Sequence, residues 1–319
     1  MIVLTGATGF LGGAVVAALA GRPLKALCRR AAPGLQARGV AVAIGDLADA
    51  GWLAAEIAPG DVVVHMAGRV EFEAAAIRDL HDLHVEGTRR LAEVVGARQA
   101  RLVLLSSSGT TAVSRHERLI DETAPYPLDL VARWPYYLTK TLQERLVLDL
   151  VARRGLDAVV LNPSLLLGPG DDRGGSTDLV REFLERRLPT VPPGGISVVD
   201  VRDAARAVAS AIDRGRKGER YFLAGHNCRF ETFFRVLAAV SGVRGPALRL
   251  PGRLATLGAR ALHGMDVPVP HPARIEMANH FWYADAQKAG RELDFAARPL
   301  EATLRDTITY LRKDGNKLA

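Results

Sequence analysis

The stretch Thr5-Gly6-Ala7-Thr8-Gly9-Phe10-Leu11-Gly12 follows the apolar residues 2–4 and precedes a helical pattern near residues 13–20. Glycines at this spacing allow a tight turn, a close approach of the backbone to a phosphate and close packing of the next helix. The N-terminus of that helix favours an anion. The stretch therefore predicts a turn that holds the pyrophosphate of a dinucleotide. The expected contacts are Thr5, Gly6, Thr8, Gly9, Phe10, Leu11 and Gly12.

Size and composition indicate a folded globular protein. The chain has 319 residues, of which 48% are hydrophobic, and this is enough to bury a large core. We expect no membrane span, because no run of about 18 uncharged apolar residues occurs. The chain runs from Met1 directly into the first strand, without a basic leader, so we expect a cytoplasmic protein. The two cysteines, Cys28 and Cys228, agree with a reducing compartment.

The net charge of +7 raises the question of nucleic-acid binding. The basic residues are mostly arginines in scattered pairs, such as Arg89-Arg90 and Arg186-Arg187, with acidic residues nearby. That pattern is typical of solvated helix faces rather than of a track for phosphates. We therefore expect no nucleic-acid partner.

Alternation of short apolar runs with amphipathic stretches predicts parallel strands joined by crossover helices. The fold class is therefore α/β, a Rossmann-type doubly wound parallel sheet with ligands at the carboxyl ends of its strands. The predicted strands are residues 2–4, 24–28, 40–44, 62–65, 102–105 and 158–161, and the predicted helices lie near 13–20, 49–58, 74–97 and 135–154.

After Asn162 the sequence becomes rich in glycine, proline and turn signals. This change predicts a smaller, discontinuous C-terminal lobe that binds the substrate. Residues 196–201 and 220–223 look like strands that return to the main sheet. We therefore assign 1–162 plus 196–223 to the dinucleotide-binding domain and 163–195 plus 224–319 to the substrate lobe.

The end of the second strand bears on the choice of cofactor. An NAD site usually has an acidic residue there, whereas this chain has Arg29 and Arg30, with no acid until Asp46. A guanidinium suits a 2′-phosphate, so NADP(H) is favoured, with Arg29 as the better candidate. The two arginines could also simply coat the strand end. Asp46, followed by Leu47, could accept a hydrogen bond from the adenine amino group or could serve as a turn or helix cap.

A second motif predicts proton transfer. Tyr136 and Lys140 are four residues apart on a predicted helix, so they share a face. An ammonium beside a phenol favours the phenolate and lowers the phenol pKa, which suits a general acid. The run Ser106-Ser107-Ser108 closes the fifth strand, where a hydroxyl could hold a substrate carbonyl or could merely cap the next segment.

These motifs, in this order, make the chain resemble an extended short-chain dehydrogenase/reductase over essentially its full length. The resemblance is strongest to the dihydroflavonol-reductase and hydroxysteroid-dehydrogenase-like branch of the epimerase/dehydratase superfamily. The matching segments are 5–12, His65-Met66-Ala67-Gly68, Gly87-Thr88, Ser106-Ser107, Tyr136 with Lys140, Asn162-Pro163, Gly168-Pro169-Gly170, 199–203, Trp282-Tyr283, Lys288, 292–295 and 299–301.

The resemblance implies roles for individual residues. Tyr136 would be the general acid, and Lys140 would bind the nicotinamide ribose and depress the tyrosine pKa. Ser107 aligns best with the catalytic hydroxyl of the family, and Ser108 is the second choice. Further cofactor contacts would come from Met66, Ala67, Gly68, Pro163 and Ser164.

One departure from the family pattern is His84, which stands before Gly87-Thr88 where the family usually has an asparagine. A histidine can still form hydrogen bonds or relay a proton. The spacing of His81 and His84 also raises the possibility of a metal site, but no second ligand pair accompanies it, so we expect no metal.

The leading hypothesis is an NADPH-dependent reductase, or reversible dehydrogenase, that acts on a ketone or aldehyde of a small, moderately hydrophobic substrate. The first alternative is a nucleotide-sugar epimerase or dehydratase. Those relatives usually place an arginine just before the Val199-Asp200 segment, where this chain reads Gly194-Gly195-Ile196-Ser197-Val198-Val199, with no arginine. The second alternative is an NADP-sensing binding protein. A homodimer is possible, through helices such as 74–97 and 135–154.

The segment 248–263 carries arginines among leucines and alanines. It could form a lid over the substrate pocket, a surface helix that touches an apolar partner or a membrane, or a helix packed on its own lobe.

Overall fold

A seven-stranded parallel sheet forms the centre of the molecule in the computed structural model, which describes residues 1–263 and 271–314. The strand order is β3-β2-β1-β4-β5-β6-β9, and each neighbouring pair is parallel. The strands are β1 (Ile2–Thr5), β2 (Leu24–Cys28), β3 (Ala41–Ile44), β4 (Val62–His65), β5 (Arg101–Leu105), β6 (Ala158–Pro163) and, after two strands of another sheet, β9 (Arg220–Leu223). This order confirms the predicted Rossmann-type fold.

Helices cover both faces of the sheet because its strands are apolar on both sides. Successive residues point to opposite faces, so Val3 and Leu4 belong to two different hydrophobic clusters. The helices of the first half are α1 (Phe10–Ala18), α2 (Pro33–Gln36), α3 (Ala50–Glu56), α4 (Ile77–His81), α5 (Gly87–Ala97), α6 (Leu128–Val131) and α7 (Pro135–Arg154). Those of the second half are α8 (Asp178–Leu184), α9 (Val201–Arg214), α10 (Phe230–Ser241), α11 (Gly252–His263), α12 (Pro272–Met277), α13 (Gln287–Leu293) and α14 (Leu300–Asp314).

A second, three-stranded sheet corrects one prediction. Residues 196–201 were expected to return to the main sheet, but β8 (Gly195–Asp200) pairs instead with β7 (Leu165–Leu167) and β10 (His226–Arg229). Only β9 joins the main sheet. The helix after β8, α9, nevertheless packs against α1 beside the main sheet. The chain therefore passes between the two sheets at the start of α9.

The predicted helix over residues 74–97 is not a regular α-helix throughout. It comprises a 3₁₀ turn (Ala74–Ala76), α4, a π-helical turn (Asp82–Glu86) and α5. The π turn contains His84 and widens the helix where it packs on α7. Irregular turns of this kind often mark functional positions.

Some of the predictions concern residues that the structure does not describe. Segment 264–270 and residues 315–319 of the predicted substrate lobe lie outside them, as do the side chains of Arg253 and Arg260. Within the described ranges, no helix combines the length and the apolar composition that a membrane crossing requires.

The turn between β1 and α1 depends on glycine at position 12. A Cβ atom there would lie 2.2 Å from the carbonyl oxygen of Gly6, so α1 could not stay against the turn. Its neighbour Gly13 lies in the same helix and has open space around it.

We therefore predict opposite effects for G12A and G13A. Because Gly12→Ala creates a backbone clash, it should lower the free energy of unfolding by about 2 kcal/mol or more and abolish dinucleotide binding. Gly13→Ala should be neutral or stabilising by up to about 1 kcal/mol, since alanine is the better helix former. Urea unfolding and NADPH fluorescence titration measure both effects. Equal stability of the two variants would contradict the prediction.

Candidate active site

The glycine turn and α1 form a cradle for an anion. Gly6 adopts a φ of +71°, which glycine reaches without strain, and Gly9 precedes α1 without a side-chain cap. The first helical hydrogen bond runs from the Gly13 N–H to the Gly9 carbonyl (2.8 Å), so N–H groups of the first turn have no partner within the helix. These free donors fit the pyrophosphate of a dinucleotide. Thr8 is exposed beside them.

The predicted adenosine contacts lie at the ends of β2 and β3. Arg29 and Arg30 are exposed immediately after β2, and neither forms an ion pair with another described residue. Asp46 is exposed, and its carboxylate accepts the Ala48 N–H (2.8 Å), as in a turn. Leu47 packs partly into the core beneath.

Thr5 positions the loop after β4. Its hydroxyl accepts the Ala67 N–H (3.2 Å) and bonds to Nδ1 of His65 (2.7 Å). Burial lowers the pKa of His65 to about 3, so this imidazole is neutral. Met66, Ala67 and Gly68 are thereby held beside the glycine turn, and Met66 and Gly68 line the central cavity.

Tyr136 lies in the first turn of α7 and faces the cavity. Burial raises the pKa of Tyr136 to about 12, and the side chain of Ser107 partly offsets this rise. This differs from the prediction that Lys140 depresses the tyrosine pKa, since Lys140 is not among the groups that shift it. At neutral pH the phenol therefore carries its proton.

The ammonium group of Lys140 is held inside the protein. It donates to the Leu105 carbonyl and to Oε1 of Gln143, both at 2.9 Å. Burial lowers the Lys140 pKa to about 8, and the charge of Glu144 partly offsets this. Lys140 thus points to the end of β5, beside Ser107, rather than directly to the phenol.

The carboxylate of Glu144, one turn beyond Lys140, is the functional residue that the sequence analysis missed. It is fully buried and ion-paired with Arg220 (3.1 Å). Four other groups also donate to it: Ser106 (2.5 Å), Asn162 (2.7 Å), Tyr126 (3.0 Å) and Thr110 (3.1 Å). A signal was present in the sequence, because polar residues recur on the inner face of α7 at the spacing of Lys140 and Glu144.

His84 is buried in the π turn, and both of its ring nitrogens are bonded. Nε2 accepts the Arg69 N–H (3.1 Å), so the neutral ring carries its proton on Nδ1 and donates it to Thr139 (2.9 Å). Thr139 in turn donates to the Pro135 carbonyl (2.9 Å). Burial, and then the charge of Lys140, lower the His84 pKa to about 2. His84 therefore ties the loop after β4 to the start of α7.

A cavity of about 420 Å³ extends from these groups into the C-terminal lobe. Ser107, Tyr136, Lys140 and Pro163 lie at one end, and Ser108 also lines it. The hydroxyls of Ser164 and Ser197 are buried without a partner among the described residues, so they are available to a ligand. The remaining lining is mainly apolar and includes Phe72, Tyr137, Leu179, Val191, Ile196, Phe230, Phe234, Met277 and Trp282.

The charged side chains of the cavity are already paired. Arg274 forms a two-pronged ion pair with Glu182 (2.8 and 3.1 Å), and Arg69 lies 3.6 Å from Asp79. Among the described residues, the cavity therefore has one unpaired cation, Lys140, which lies beside the predicted cofactor site.

A parallel sheet with a glycine cradle, next to a tyrosine and a lysine one helical turn apart, defines a dinucleotide-binding oxidoreductase. The model of the NAD dependent epimerase/dehydratase family matches residues 2–224, and the chain belongs to that family. It is an extended short-chain dehydrogenase/reductase, as the sequence analysis predicted.

Individual relatives resemble the chain along nearly its whole length. Sterol demethylase protein B of Methylococcus capsulatus is 29% identical, with 98% of each chain covered. A putative dihydroflavonol 4-reductase of Synechocystis is 28% identical and covers 98% of this chain and 94% of its own. The crystal structure of gox2253 has a TM-score of 0.86 at 27% identity, with 99% and 98% of the two chains covered.

The neutral state of His84 predicts a pH-dependent stability. Its pKa is about 2 when folded and about 6.5 when unfolded, so between these values only the unfolded chain binds the proton. The free energy of unfolding should therefore fall as pH falls below 6.5. His84→Asn should reduce this slope by about 1 kcal/mol per pH unit, measured by urea unfolding between about pH 6 and pH 5.

His116→Asn, at an exposed histidine, is the matched control and should keep the wild-type slope. Identical slopes for H84N and wild type would show that His84 accepts a proton in the folded state.

Proposed function

We propose that the protein is an NADP(H)-dependent reductase, reversible as a dehydrogenase, that acts on a ketone or aldehyde carbonyl of a small apolar substrate. The observation that carries this proposal is that the hydroxyl-bearing side chains of Tyr136 and Ser107 line the same cavity, whose remaining lining is mainly apolar. Such a pair can bind one carbonyl oxygen from two sides.

The positions of Ser107, Tyr136 and Lys140 suit three different tasks in the reduction of a carbonyl group. The nicotinamide, when bound, supplies the hydride. Ser107 donates a hydrogen bond to the carbonyl oxygen and holds it next to Tyr136. As negative charge grows on that oxygen it becomes a stronger base than the phenolate, so Tyr136 gives up its proton to it despite the raised pKa. Lys140, adjacent to Gly68, is placed to hold the ribose hydroxyls.

The preference for NADP(H) rests on Arg29 and Arg30. Both are exposed at the end of β2, without a described ion-pair partner, so their guanidinium groups are available to a 2′-phosphate. Asp46 accepts the Ala48 N–H with Oδ1, and its other carboxylate oxygen can accept a hydrogen bond from the adenine amino group.

Two glycines argue against a nucleotide-sugar substrate. At Gly194, one of the positions before Val199-Asp200, a Cβ atom would lie 2.2 Å from the His280 carbonyl oxygen. At Gly195 it would lie 2.4 Å from the Tyr283 hydroxyl. Neither position can hold an arginine for a sugar diphosphate. Two relatives bear names that refer to a sterol and to a dihydroflavonol, ring compounds without a diphosphate.

We predict that Tyr136→Phe lowers the rate of NADPH oxidation by about a hundredfold or more, because the proton donor is lost. The assay follows NADPH absorbance with cyclohexanone, decanal and a 3-ketosteroid as test carbonyls. Tyr137→Phe is the matched control, because Tyr137 lines the same cavity and packs on Trp282 (4.8 Å between rings). It should stay within about tenfold of wild type.

Other outcomes would change the assignment. Turnover of UDP-glucose, with no oxidation of NADPH by the three carbonyls, would move the protein to the epimerase alternative. NADPH binding without turnover of any of these compounds would favour a sensing protein.

We predict that Arg29→Ala weakens NADPH binding by about tenfold, the effect of losing one hydrogen bond to a charged group, and leaves NADH binding unchanged. Fluorescence titration of each nucleotide measures this. Arg30→Ala, at the neighbouring position, shows whether the effect belongs to Arg29 alone. An equal loss for NADH and NADPH would contradict a role in binding the 2′-phosphate.

A further inference from the structure

Leucines are concentrated on the outside of one short segment of the C-terminal lobe. Leu248, Leu250, Leu254 and Leu257 are 37–65% exposed, and we call them the leucine ridge. Leu254 and Leu257 lie one turn apart on α11 and so share a face of the helix. An exposed apolar cluster of this size commonly marks an interaction surface.

The ridge is continuous with the substrate cavity. Leu250 itself lines the cavity, and so does Ala255, which lies between the two exposed leucines of α11. Asn279 fixes the helix by donating to the Gly252 carbonyl (3.2 Å) and to the Thr256 hydroxyl (3.0 Å). An apolar molecule leaving the cavity past Leu250 would therefore meet the ridge next.

The charge of this segment is entirely positive. Residues 242–263 include Arg244, Arg249, Arg253 and Arg260 and contain no aspartate or glutamate. Outside the segment, Glu231 accepts a hydrogen bond from Arg249 at the surface (2.5 Å). Exposed leucines on a segment with a net positive charge fit a surface whose interior is apolar and whose boundary is negatively charged.

We propose that the leucine ridge docks on an anionic lipid surface and turns the mouth of the cavity towards it. The leucines enter the boundary between headgroups and acyl chains, and the net positive charge of residues 242–263 attracts the acidic headgroups. A second copy of the chain fits less well, because a two-fold contact would bring the same positively charged segment against itself. The proposal rests on the proposed function only for its consequence, which is that an apolar carbonyl compound enters from the lipid.

The test is vesicle co-sedimentation of the full chain. Vesicles of equal parts phosphatidylglycerol and phosphatidylcholine are compared with vesicles of phosphatidylcholine alone. We expect at least about tenfold stronger binding to the first, weakened by added salt. The double variant Leu254→Ser with Leu257→Ser should bind about tenfold or more weakly, since each serine removes an inserted apolar side chain.

The matched control is Leu119→Ser with Leu128→Ser, two leucines that are 55% and 42% exposed elsewhere on the molecule. This control should bind the anionic vesicles as wild type does. Retained NADPH binding in both double variants shows that each is folded. Because the assay needs no substrate, it is independent of whether the reductase assignment holds.

Three results would overturn the proposal: no binding to the anionic vesicles, equal binding to both kinds of vesicle, or an equal loss in the control variant. A dimer in sedimentation equilibrium that dissociates in the Leu254→Ser, Leu257→Ser variant would instead assign the ridge to a second copy of the chain.

Discussion

The buried carboxylate of Glu144 is the interaction on which the geometry of the site depends. A charge in the protein interior is tolerated only when its lone pairs are fully used, and Glu144 accepts five hydrogen bonds. Three of the donors are Ser106, which follows β5, Asn162 in β6 and Arg220 at the start of β9, so one carboxylate joins three strands to α7. Because Tyr136, Lys140 and Glu144 follow at intervals of four residues, fixing Glu144 also fixes where the other two point.

Helix α7 is also connected to the glycine turn, through a second chain of hydrogen bonds. Lys140 donates to Gln143, which donates to Thr88 (2.7 Å), and Thr88 bonds to His65 (2.8 Å). His65 then bonds to Thr5, which holds the Ala67 N–H. The glycine turn, the loop after β4 and Lys140 are therefore parts of one buried network. Two neutral imidazoles near Lys140 add no positive charge to the site.

The sequence was informative where local patterns decide the structure. Parallel strands are buried on both faces, so they appear as apolar runs, and the glycine turn is required by contacts within a few residues. The sheet to which β8 belongs could not be predicted from local patterns. Gly195–Asp200 is as buried as a strand of the main sheet, and its partner β10 reads His-Asn-Cys-Arg, without an apolar signal. Glu144 was missed because its donors are distant in sequence.

The C-terminal segment after α12 shapes the substrate end of the cavity through its backbone. The N–H groups of Gly194 and Gly195 donate to the carbonyls of Ala278 (3.1 Å) and His280 (3.0 Å), and the Trp282 N–H donates to the Gly195 carbonyl (3.2 Å). This pairing draws residues 278–283 against the start of β8 and leaves no room for a side chain there. It also places Trp282 beside Tyr137 in the cavity wall. Gly194 thus lets the backbone of residues 278–280 approach closely, and Gly195 leaves room for the ring of Tyr283, so backbone and aromatic rings pack together at the start of β8.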